Sequence, residues 1–153
     1  MNSEVRIIDG YVGHWSLKRD LVRFLENHHD AQNRETNVKA TMTDWMLNWN
    51  SQPVDDFKKF ILSSTNSKTI VDFWANIYRR GDYTIKHDHI RTKQSVVYFL
   101  KSKPNFAPLI VDSKPSIIKP LEGRMVIFPG SLKHSVPVHF SDETRITLAA
   151  NLN

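Results

Sequence analysis

The 153-residue chain contains no cysteine, which removes disulfides, zinc ribbons, iron–sulfur clusters and thiol nucleophiles together. Any bound metal must be held by histidine and carboxylate. Long apolar runs are missing as well: nothing approaches the roughly 18 to 20 residues of a membrane span, and the opening MNSEVRIIDG lacks the apolar segment of a signal peptide. A cytoplasmic protein with no membrane contact is therefore expected. There is no internal repeat and no low-complexity linker, so one domain over 1–153 is predicted, with helical support over about 1–68 and a β core over about 69–153. With 40% hydrophobic and 24% charged residues, the chain has the balance of a globular protein and not of a disordered one.

What the chain has in surplus is histidine and positive charge. Its net charge is +5, and the excess lies in residues 79–124, which hold ten Lys/Arg against four Asp/Glu. A cationic segment attracts nucleic acid or a small dicarboxylate equally well, or is only a solvated face.

Residues 16–28 place Leu17, Leu21, Phe24, Leu25 and His28 on one helical face, with Ser16 as the candidate cap. Pro53 opens a second helix whose stripe is Val54, Phe57 and Ile61. Between them, residues 29–41 read as a polar loop, and Trp45 and Trp49 read as core or lid packing more readily than as stacking platforms. From residue 69 the pattern becomes short β-branched and aromatic runs, at about 70–79, 84–90, 94–101, 107–112, 115–119, 124–128, 134–139 and 144–151. Eight short strands after two helices predict an α+β fold, mostly β, built as a sandwich or barrel with the helices packed outside.

Within this β region His87 and His89 lie two apart in IKHDHI, so a regular strand points both rings to one face. His134 opens a later strand. Three imidazoles on one face bind iron, zinc, copper or nickel and leave positions open, although a lone His-x-His also fits surface histidines. Arg145 starts a strand that carries Arg145, Thr147, Ala149 and Asn151 on one face. Small residues with one cation suit an anionic cofactor, gripped by a guanidinium, and also suit a plain strand end. His139 should face away from His134, and His14, His28 and His29 belong to the helical third.

In order, FWANIYRRGDYTIKHDH, SVVYFL, EGRMVIFPGSLKHSV and RITLAANLN resemble the Fe(II)- and 2-oxoglutarate-dependent dioxygenases, most nearly the small oxygenases of bacteria and T4-like cyanophages. Trp74, Asn76, Gly81, Asp82, His87, His89, Tyr98, Gly123, Phe128, Pro129, His134, Arg145 and Asn151 match co-linearly, and Thr43, Asp44 and Trp45 resemble a segment upstream. The resemblance covers about residues 42–153. It implies a double-stranded β-helix, the cupin-like jelly roll, holding Fe(II), with 2-oxoglutarate as cosubstrate and dioxygen as oxidant. It further implies His87, His89 and His134 as metal ligands, with Asp88 as second choice for the third because most of the superfamily has a carboxylate there. Arg145, Tyr98 and Asn76 would contact the cofactor, and Trp74 and Asn151 the substrate. Tyr98 in a Val/Phe strand also fits a core role, Asn76 a purely structural one, and Gly81, Gly123, Pro129 and Gly130 are assigned to turn geometry. No catalytic residue beyond the metal site is expected.

The activity this implies is hydroxylation of a small-molecule or peptide substrate with release of succinate and carbon dioxide. Two other classes stay open. One is a non-enzymatic or differently metallated cupin-like protein that binds a small ligand through a three-histidine metal. The other is a nucleic-acid-binding barrel using the basic 79–124 segment, less favoured because Tyr98, Phe99 and Phe106 fit a core at least as well. A homodimer is compatible with either.

Overall fold

The structure, a computed structural model, describes residues 4–28, 37–44, 47 and 49–153. In chain order the described elements are β1 (Arg6–Ile8), α1 (His14–Glu26), β2 (Val38–Lys39), β3 (Thr41–Met42), α2 (Gln52–Ser64), β4 (Ile70–Tyr78) and β5 (Tyr83–His87). They continue with β6 (Gln94–Lys101), β7 (Leu109–Val111), β8 (Ile117–Ile118), β9 (Met125–Pro129), β10 (His134–Val136) and β11 (Arg145–Leu152). All eight strands expected from the sequence are present, several of them shorter. Strands β1 to β3 are additional; at two or three residues each they are too short to show an alternation.

The strands form two antiparallel sheets, one of six strands in the order β1-β9-β6-β11-β4-β3 and one of five in the order β2-β5-β10-β7-β8. This is the jelly-roll architecture expected. Helices α1 and α2 lie against the outer face of the larger sheet, as the amphipathic stripes require. Leu17, Leu21 and Leu25 of α1 and Val54, Phe57 and Ile61 of α2 are fully buried, each adding roughly 1.5–3 kcal/mol of apolar burial. Helix α1 starts at His14 after Gly13, with no side-chain cap, so Ser16 lies inside the helix and does not cap it. Helix α2 is capped by Ser51, whose Oγ accepts from the Val54 amide. No helix among the described residues is long and apolar enough to cross a membrane.

Alternation along the four central strands divides the interior into two cores. Phe73, Ala75 and Ile77 of β4, Val96, Tyr98 and Leu100 of β6, Met125 and Ile127 of β9, and Ile146, Leu148 and Ala150 of β11 point toward the helices. Trp74, Tyr78, Phe99, Val126, Phe128 and Ala149 point between the sheets. Because β11 has a strand on each side and buried material on each face, all eight of its residues are buried.

Candidate metal centre

A cavity between the sheets collects almost every residue singled out in the sequence. Trp74, Asn76, His87, His89, His134, Arg145 and Asn151 all line it, with Tyr78, Thr84 and Ser95 among their neighbours. The face predicted for β11 is the one observed, since Arg145, Thr147, Ala149 and Asn151 all turn inward.

His87, His89 and His134 lie at one part of the cavity. One nitrogen from each lies within 4.8 Å of the others, and the ring centres of His87 and His134 are 4.3 Å apart. The two are direct cross-strand partners on β5 and β10. His89 arrives there differently than expected: β5 ends at His87, so loop geometry and not strand alternation sets its position. The His89 amide donates to the Gly130 carbonyl at 2.7 Å, and the His89 carbonyl accepts from the Thr92 amide at 3.0 Å and hydroxyl at 3.1 Å. Gly130 has a role beyond turn geometry, because a Cβ there would sit 2.0 Å from the Thr92 carbonyl oxygen and 2.6 Å from that of His89. Asp88 is not among the converging ligand atoms; it lines an adjoining cleft with Asp72, His89, Ile90, Arg91, Thr92 and Asn151.

Backbone carbonyls fix two of the rings. His87 Nδ1–H donates to the Ile85 carbonyl at 2.7 Å and His134 Nδ1–H to that of Leu132 at 3.1 Å, so each presents an Nε2 lone pair. Burial lowers the pKa of all three, to about 4 for His89 and about 3 for His134. At neutral pH the cluster therefore offers three uncharged nitrogen donors, the form a divalent transition metal needs.

Also on the cavity wall, Arg145 is fully buried. Its guanidinium lies 4.5 Å from the centre of the Tyr78 ring and 5.3 Å from that of Phe99, and its Nε donates to the Ala107 carbonyl at 2.8 Å. Both terminal nitrogens are buried without a hydrogen-bond partner among the described residues. An unpaired guanidinium is costly in such surroundings, and an anion entering the cavity could pair with it. Tyr78, two positions after Asn76 and on the same strand face, was missed in the sequence although the alternation reaches it; its hydroxyl bonds Thr84 Oγ1 at 2.7 Å. Trp74 Nε1 donates to Asn76 Oδ1 at 3.1 Å, which turns the amide nitrogen of Asn76 outward from that bond.

Tyr98 is not part of this cavity, against expectation. It pairs with Leu148 across the strands and faces the helices, where its hydroxyl meets His14 Nδ1 at 2.5 Å while His14 Nε2 donates to Glu122 at 3.0 Å. Burial pushes the Tyr98 phenol well above the ordinary tyrosine value. Trp49 packs on Phe24 with ring centres 4.6 Å apart and donates to Asp20 at 2.7 Å, which is core packing and not a platform. His139 is fully buried beside Phe106, away from the cluster as expected. Trp45 and His29 lie outside the described residues. Much of the positive excess in 79–124 is engaged in ion pairs: Arg80 with Asp142, Lys86 with Asp112, Lys101 with Glu26, Lys103 with Glu143 and Arg124 with Asp9.

Residues 110–151, from β7 through most of β11, match the family described as "Putative 2OG-Fe(II) oxygenase". The whole chain also superposes on solved members of that class. The fold is that of the 2OG-Fe(II) oxygenases. A prolyl-4-hydroxylase of Pseudomonas putida aligns over 100% of this chain and 93% of its own, with a TM-score of 0.77 and 14% identity. The viral collagen prolyl hydroxylase of Paramecium Bursaria Chlorella virus-1, in its 2OG complex, aligns over 96% and 94%, with a TM-score of 0.75 and 14% identity. A Trichoplax adhaerens prolyl hydroxylase, in complex with a hypoxia inducible factor oxygen degradation domain peptide fragment, aligns over 97% and 84%, with a TM-score of 0.68 and 16% identity. No curated protein sequence matches the chain.

Proposed function

We propose that this protein is an Fe(II)- and 2-oxoglutarate-dependent dioxygenase that hydroxylates a small-molecule or peptide substrate. His87, His89 and His134 are its iron ligands in this reading, and Arg145 pairs with the distal carboxylate of 2-oxoglutarate. The observation that carries it is one cavity holding both a three-imidazole cluster and a buried guanidinium whose terminal nitrogens have no partner among the described residues. The cluster fits a divalent metal, and the guanidinium fits a carboxylate through two parallel hydrogen bonds.

Together the iron and the keto acid supply oxidative decarboxylation to succinate and carbon dioxide, coupled to hydroxylation of a substrate C–H bond. The chain's part is to bind, orient and keep water out. The Ile85 and Leu132 carbonyls hold His87 and His134 in the tautomer that ligates through Nε2. Tyr78 supports the guanidinium of Arg145 from below, and Asn76, its oxygen occupied by Trp74, offers amide hydrogens to an acceptor on the cosubstrate. Val97, Leu109, Phe128 and Val136 add an apolar stretch of wall. Trp74 and Asn151 are assigned to the substrate side, next to His89.

Anaerobic titration with Fe(II) and then 2-oxoglutarate tests this reading through the weak visible charge-transfer band of the chelate, followed by succinate release under oxygen. The absence of both the band and succinate would overturn it. The three-imidazole set also suits zinc or nickel in a ligand-binding cupin, which the same titration separates by its lack of turnover.

A further inference from the structure

The cavity wall contains two sources of positive charge once a divalent metal is bound: the metal and Arg145. Among the described residues it contains no carboxylate. Three neutral imidazoles do nothing to offset a 2+ ion, and charge removed from water without compensation is destabilised. Two negative charges, Asp72 and Asp88, lie just outside, in the cleft that shares His89 and Asn151 with the cavity.

We infer that Asp72 and Asp88 balance the metal's charge from outside its ligand set, as positioning residues that act through His89 and Asn151. The inference rests on the metal site proposed above. Both carboxylates line the cleft with His89 and lie within electrostatic reach of its ring, and Asp88 reaches His87 as well. Asp72 is held in place: its Oδ2 accepts from Asn151 Nδ2 at 3.0 Å, and the two residues are cross-strand partners on β4 and β11. Asn151 is further tied by Ser95 Oγ, which donates to its Oδ1 at 3.4 Å. Asp88 has no such tie, but its position is set by the two histidines on either side. Arg91 lies in the same cleft and is exposed, so solvent screens its opposing charge.

The test is Co(II) affinity of the full chain, measured without oxygen or 2-oxoglutarate by competition with a coloured chelator. Asp72→Asn and Asp88→Asn are each expected to weaken Co(II) binding about 3- to 10-fold, as a charge acting at a distance through protein does, with a larger effect at low ionic strength. Asp72→Glu and Asp88→Glu, which keep the charge, should recover most of the affinity. Asp142→Asn, whose partner is the exposed Arg80, should change nothing. Affinities of both Asn variants within about 2-fold of the parent overturn the inference, since that is less than 0.5 kcal/mol. Loss of binding by Asp88→Asn as complete as by His134→Ala also overturns it, by making Asp88 a ligand. A parent protein that binds no Co(II) overturns the metal site itself.

Discussion

Arg145 and Tyr78 form a stacked pair inside the cavity, with the guanidinium carbon 4.5 Å from the ring centre. The phenol supports the cation without neutralising it, and burial depresses the guanidinium's tendency to hold its proton. A ligand carboxylate would complete the pairing. Arg145→Met is therefore expected to lower 2-oxoglutarate affinity about 100-fold, the worth of two charge-assisted hydrogen bonds at roughly 1.5 kcal/mol each. The ligand-free variant should melt no lower than the parent, because it loses an uncompensated buried charge. Calorimetric titration of the Co(II)-loaded protein gives the first number and thermal melts the second. Unchanged affinity removes the assigned role.

The placement of Tyr98 leads to the opposite expectation for a residue that sequence reasoning assigned to the cofactor. Tyr98→Phe leaves His14 Nδ1 without its partner under α1, at a cost of about 1–3 kcal/mol in unfolding free energy. Urea melts should show that loss. 2-Oxoglutarate affinity should be unaffected, and a weakening of tenfold or more would return Tyr98 to the site.

Gly130 leaves room for the backbone of the loop that carries His89. Gly130→Ala forces that loop outward, so metal affinity should fall about 10- to 100-fold, as when the outer support of a ligand is lost. Far-UV circular dichroism should stay that of the parent, because the loop lies outside the sheets. Parent-like metal binding would mean that the loop adjusts without cost.

Metal-free protein should lose stability in acid through the same histidines. The unfolded chain protonates His134 near 6.5, whereas the folded chain does so only near 3. Between these values the unfolded state holds the extra proton, so stability is full above about 6.5 and falls as pH drops, at up to about 1.4 kcal/mol per pH unit per proton. Melting temperatures taken in chelator from pH 7 to pH 4 should therefore decline, and His134→Asn should flatten the decline. Equal slopes in the two proteins would show that His134 does not contribute.

Much of the site could be read from the chain because strand alternation has a period of two wherever one face must differ from the other. In β11, Arg145, Thr147, Ala149 and Asn151 contrast with Ile146, Leu148 and Ala150, and the polar face is the cavity face. In β6 both faces are buried and largely apolar, so Tyr98 gave no sign of which core it entered; only its pairing with Leu148 shows that. The His-x-His spacing pointed to two rings that do converge with His134, but for a partly wrong reason. Strand geometry delivers His87, while His89 depends on a loop and on the small size of a residue 41 positions downstream. Long-range dependence of that kind leaves no local trace. Tyr78 was legible by simple extension of the Trp74, Asn76 alternation.

The larger sheet has a consequence for how the molecule is made. Its central strand, β11, is the last described strand in chain order, yet it joins β4 to β6. While residues 145–152 are still inside the ribosome, the strands made earlier cannot be joined across that gap, and the cavity lacks one wall. Folding must wait for a contact of long sequence separation, and such contacts are slow to form. The three histidines are thus made before the strand that closes the vessel around them.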